Sequence, residues 1–139
     1  MRLPLLRPAL RLALATLAVS ALPVLAAEPM TADEFDAYVT GKTLTYSQYG
    51  SAFGVEEYLP GRKVRWRFSE DQCQYGSWFA RDDLICFVYE YDPTEHCWTF
   101  WREGEGLSAL SVNDLPGSEL SEVAQSANGL NCPGPEVGV

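Results

Sequence analysis

The stretch "KVRWRFS", residues 63–69, alternates strictly: Val64, Trp66 and Phe68 fall on one side of an extended chain, and Lys63, Arg65 and Arg67 on the other. A period of two predicts a strand with one apolar and one basic face. The residues just upstream, Leu59-Pro60-Gly61-Arg62, have proline and glycine where a type II turn favours them. Closed by that four-residue turn, the hairpin places Val55 opposite Trp66 on the inside and Glu56 opposite Arg65 on the outside. The basic face is therefore expected to be solvated and salt-bridged, not a site for an anionic ligand.

Short β-rich runs punctuated by Gly, Pro and Asp continue from Thr43 to Ser111 and predict an antiparallel meander of about six or seven strands. A hairpin closed around Ala80 to Asp83 sets Trp78 opposite Ile85 and Gly76 opposite Phe87, the glycine leaving room for a ring. In the next hairpin, facing cysteines Cys86 and Cys97 would put Ile85 opposite Trp98 and Phe87 opposite His96, with Glu90 to Pro93 as the loop. A competing register with Asp92 to Glu95 as the loop separates the cysteines, so bridge and register stand or fall together. One face then collects Trp78, Ile85, Phe87, Trp98 and Phe100. With Trp66 and Phe68 they form the expected core, and Cys73, Phe79, Cys86 and Cys97 lie on the other face.

The flanks differ from this β-rich middle. In "TADEFDAYVTGK", Thr31 and Glu34 form a capping box, Phe35, Tyr38 and Val39 share a helical face, and Gly41 stops the helix. After Ser111, "SELSEVAQSANG" has Leu120, Val123, Ala124 and Ala127 at helical spacing, and an irregular or extended tail held by Cys132 is the alternative. The fold class expected is mainly β: an antiparallel meander forming a small barrel or half-barrel, with a short N-terminal helix covering one end. A closed barrel of about eight strands can just hold a small ligand, whereas fewer strands fill the interior with side chains. Six or seven strands imply a filled core.

The start of the chain has the parts of a secretory signal. Arg2, Arg7 and Arg11 precede the apolar Leu12 to Leu25, and Val24-Leu25-Ala26-Ala27 is a small-residue cleavage region. Residues 1–27 are expected to be a cleaved signal peptide and 28–139 a single disulfide-stapled β domain, weakly structured from about residue 112. The interruption at Pro23 and the short apolar run argue against a retained membrane anchor. Without the three leader arginines, seven basic residues face nineteen acidic ones, which disfavours nucleic acid or anionic membrane as a partner.

In an exported chain, Cys73, Cys86, Cys97 and Cys132 are read as two bridges. Spacing puts Cys73 about four residues along its strand from anything opposite Cys86, more than roughly 10 Å away, so Cys86–Cys97 and Cys73–Cys132 are expected. The spacings contain no Cys-x-x-Cys, so neither a metal nor another cofactor is implied.

The succession "GKTL", "YGSAFGVEEYLPGRKVRW", "CQYGSWF", "ICFVYE" and "CWTF", spanning roughly residues 31–110, resembles a family of small exported bacterial proteins of unknown function with a calycin-like β-barrel or half-barrel. The resemblance implies a fold and a periplasmic or secreted location. It transfers no functional residues.

Candidate chemistry is sparse. The only histidine, His96, lies beside a hairpin loop and next to a bridged cysteine, so a Ser/His/Asp or Cys/His scheme has no base. Glu56-Glu57, Glu70-Asp71 and Asp82-Asp83 sit at turns or on outer faces, where carboxylates are ordinarily solvated. Gly104 and Gly106 have acidic neighbours that would repel phosphate. No catalytic residue is assigned and the ligand-binding residues are unknown. The expected function is a non-enzymatic periplasmic binding or interaction module, its partner an envelope protein or a small ligand. The alternatives are a carrier of a small apolar or aromatic ligand in the barrel mouth and a hydrolase with no visible catalytic constellation.

Overall fold

The structure is a computed structural model that describes residues 26–69 and 72–132. The expected leader lies, up to residue 25, outside the described residues, as do Glu70 and Asp71. The order is α1 (Ala32–Val39), β1 (Thr43–Gln48), β2 (Ser51–Leu59), β3 (Lys63–Ser69), β4 (Gln72–Arg81), β5 (Leu84–Tyr89), β6 (Asp92–Glu103), β7 (Gly106–Ser111) and β8 (Leu120–Ser126). Each strand pairs antiparallel with the next, and β8 pairs with β1, so the meander closes into an eight-stranded barrel. Closure depends on β8. The segment that has helical spacing becomes the strand that satisfies two otherwise open edges, so the tail is ordered well beyond residue 112.

Helix α1 forms where the capping box predicts it: the Glu34 N–H donates to the Thr31 hydroxyl, and Glu34 accepts from the Thr31 N–H at 2.8 Å. Its apolar face is driven into one end of the barrel. Phe35 and Val39 are fully buried, and the Phe35 ring packs on Tyr58, Trp78, Phe87 and Phe100 with centroids 5.7, 5.1, 6.4 and 4.5 Å away. The chain then hooks onto β2, the Gly41 N–H donating to the Tyr58 carbonyl at 2.8 Å. The β2–β3, β4–β5 and β6–β7 connections lie at this closed end. The other connections surround the opposite, open end.

Two hairpin registers differ from expectation. Pro60, Gly61 and Arg62 make a three-residue loop with Gly61 and Arg62 at φ 73° and 60°, so Leu59 pairs with Lys63 and Glu56 with Trp66. An odd loop in place of an even one moves each β2 residue to a different partner and reverses the inside–outside parity of β2 relative to β3. In the β4–β5 hairpin the loop is only Asp82-Asp83, so Trp78 faces Phe87 and Gly76 faces Tyr89. That shift is by two residues, which preserves the faces. The β5–β6 register sets Cys86 opposite Cys97 and Phe87 opposite His96, but a shift beyond Phe87 pairs Tyr89 with Asp92 and shortens the expected four-residue loop to Glu90-Tyr91. Disulfides join Cys86 to Cys97 and Cys73 to Cys132.

Trp78, Ile85, Phe87 and Phe100 are buried in the barrel. Trp66 and Trp98, expected in the core, are only partly buried and pack against it from above. Phe68 is 57% exposed, contrary to expectation. It continues the Val64–Trp66 face, but at the open end of β3 that face has run past the packed interior.

Candidate functional site

The three-residue loop after β2 has its main consequence at two neighbouring glutamates. Successive side chains of a strand point to opposite faces, so Glu56 and Glu57 cannot act as a pair. Glu57 points outward, where it ion-pairs with Arg65 and accepts the Leu130 N–H at 2.9 Å. The C-terminal segment crosses the barrel there on its way to the Cys73–Cys132 bridge, which is why Glu57 is buried although it lies on the outer face. Glu56 points into the barrel and is 2% exposed. The solvated, outward Glu56 expected from an even turn is thus reversed by one residue of loop length.

Above the plug formed by Phe35 the interior is not filled. A cavity of about 220 Å³ opens toward the far end of the barrel, floored by Tyr58, Phe87 and Phe100 and walled by Phe53, Trp66 and Trp98. Six or seven strands would have been filled by side chains; the eighth widens the interior. Phe53 lies 5.7 Å from Trp66 and edge-on to Trp98 at 6.2 Å, centroid to centroid. Two inward-facing glycines make this arrangement fit. A Cβ on Gly54 would overlap the Trp66 ring, and one on Gly76 would lie 2.7 Å from the Tyr89 ring and overlap the Val88 carbonyl oxygen. Gly76 does make room for a neighbouring ring, that of Tyr89.

Polar groups converge on one side of the cavity. The Tyr89 hydroxyl lies 3.1 Å from both Glu56 carboxyl oxygens and donates to them, while the Tyr46 and Tyr58 hydroxyls share a hydrogen bond of 2.9 Å. Among the described residues no cation is within ion-pair distance of Glu56. Burial therefore raises the Glu56 carboxyl well above the usual carboxylate range, and the Tyr89 bond offsets this only in part. Burial likewise raises the Tyr46, Tyr58 and Tyr89 phenols, so all three are neutral donors. At the entrance, Asp92 Oδ2 and His96 Nε2 are 2.8 Å apart, and Asp92 also accepts the Thr94 N–H at 2.9 Å. Bonds from Thr94 and His96 hold Asp92 down to about 2.

His96, expected beside a loop, does lie near one, and it also lines the cavity mouth. Asp82-Asp83 is an exposed turn far from this site, at the closed end, and Gly104 lies in the β6–β7 turn there. Among the described residues no group of three or more His, Cys, Asp or Glu side chains is placed to hold a metal ion. Sequence reasoning considers Glu56 only as half of a carboxylate pair with Glu57 on an outer face, and it does not single out Tyr46, Tyr89 or Phe53. The one signal for Glu56 was parity within "FGVEEYL": Gly54, Glu56 and Tyr58 share a face, and the buried Tyr58 identifies that face as inner. The chain matches no family model, no curated protein and no solved structure.

Proposed function

We propose that the protein is an exported bacterial, periplasmic or secreted, calycin-like carrier or sensor that binds a small molecule inside its barrel without transforming it. The observation that carries this reading is the open cavity with a buried acid, Glu56, against aromatic walls. An ionisable group buried without an ionic partner costs stability that an apolar side chain of similar size would not. Its position in a cleft marks a functional site. Two disulfides suit an oxidising compartment. The size is also informative: about 220 Å³ is below the roughly 300–1,000 Å³ of drug-sized sites. The ligand is then a fragment of about one ring with a short substituent.

Asp92 and His96 could serve as an oriented base, but among the described residues no serine, threonine or cysteine lines the cavity, which favours binding over a nucleophilic hydrolase. The open end carries exposed Tyr49, Phe68, Tyr91, Val112 and Leu115. An interaction module for an envelope protein would use this rim, yet the rim by itself leaves buried Glu56 without a purpose. Native mass spectrometry of the protein isolated from an oxidising compartment, alongside Leu120→Trp to fill the cavity, tests the reading. One small molecule per chain in the wild type and none in Leu120→Trp is the expected result. Equal retention by both would place the ligand elsewhere and overturn it.

A further inference from the structure

Resting on that reading, we infer that the ligand is a small organic cation: an ammonium group on an aromatic or apolar body, its nitrogen paired with Glu56 and its body held between Trp66, Trp98 and Phe53. Three observations rank a cation above a neutral or anionic ligand. Among the described residues, the ionisable side chains lining the cavity are Glu56, Asp92, His96 and the tyrosines, with no lysine or arginine to meet an anion. The electron-rich faces of Trp66 and Trp98 attract a cation, most strongly where water is excluded. The entrance is guarded by Asp92, which stays ionised across the physiological range, on a chain that is acidic overall. That field draws cations in and turns anions away.

Binding also accounts for the state of Glu56. Burial favours the protonated form of the carboxyl, with the Tyr89 hydroxyl against its oxygens. An arriving ammonium supplies the missing counter-charge, so the carboxyl proton passes to solvent and the ammonium keeps its own protons. Tyr89 from β5 donates to the carboxyl, neutral Tyr46 from β1 and Tyr58 from β2 line the same cavity with their hydroxyls bonded to each other, and Asp92 and His96 face the entrance from β6. Trp66, Gln74 and Leu120, from β3, β4 and β8, do not titrate. Affinity for a cation therefore rises with pH as the carboxyl gives up its proton more readily. Any share due to His96 is removed in His96→Asn.

Three probes of one shape but different charge test this: 2-phenylethylammonium, 2-phenylethanol and phenylacetate, titrated into the mature protein and followed by tryptophan fluorescence and calorimetry. The ammonium should bind about tenfold or more tighter than the alcohol, with phenylacetate weakest. It should release protons to the buffer, and its affinity should rise with pH above the ordinary carboxylate value of about 4.3 in both wild type and His96→Asn. Glu56→Gln, which keeps the shape of the side chain, should abolish the preference. Wild-type affinities that are equal for the ammonium and the alcohol, or a Glu56→Gln protein that keeps the preference, would overturn the cation inference and leave the cavity reading standing. Failure of all three probes would overturn both.

Discussion

Replacing Glu56 by glutamine should change how stability depends on pH in a defined direction. The folded Glu56 carboxyl is held well above its ordinary value by burial, whereas in the unfolded chain it titrates near about 4.3. Between those two values the native state holds a proton that the unfolded state has released, so stability falls as pH rises. The slope is about 1.4 kcal/mol per pH unit for the one proton. Below about pH 4 both states are protonated and the contribution of Glu56 is fully present. Above the folded value the loss is complete and the curve flattens. Asp92, Glu34, Glu95 and Glu119 have lowered values, so their stabilisation is lost on acidification. They act alike in wild type and variant. The difference between Glu56→Gln and wild type therefore isolates Glu56: small at about pH 4 and growing in favour of the variant through about pH 5 and 6. Urea unfolding of the ligand-free proteins at unit pH intervals measures it. A difference constant with pH would mean that Glu56 titrates alike in both states, refuting its burial as the neutral acid.

Three further outcomes follow from the packing. Phe35→Ala removes the ring that plugs the barrel and should cost about 3–5 kcal/mol, whereas Phe68→Ala, on the exposed rim, should stay within about 0.5 kcal/mol; thermal melts compare them. Gly54→Ala places a methyl group where the Trp66 ring lies, and should cost about 1–3 kcal/mol and shift the tryptophan emission; unchanged emission would argue against that approach. The Cys73→Ser, Cys132→Ser double variant opens a loop with sequence separation 59 and should lose about 4 kcal/mol in chemical denaturation, far more than an exposed surface change.

Local chemistry was sufficient for the helix and for much of the sheet. The Thr31–Glu34 capping box, the alternation in Lys63–Ser69 and the Gly41 stop act within a few residues, so they could be read without knowing what the chain packs against. The Cys86–Cys97 pairing was legible for a related reason: cross-strand geometry limits which cysteines can meet. The cavity was not legible in this way. Closing the barrel required Leu120–Ser126 to extend and pair on both sides, although its own spacing suits a helix equally well. Only partners distant in the chain settle that conflict. The inward turn of Glu56 depended on whether two or three residues, Pro60-Gly61 or Pro60-Gly61-Arg62, separate Leu59 from its partner, a choice between turns of similar chemistry that the whole sheet decides by burying Tyr58. A period of two records which residues share a face but not which face is inside. The interior is defined only once eight strands surround it, and with it the acid, the aromatic walls and the ligand they fit.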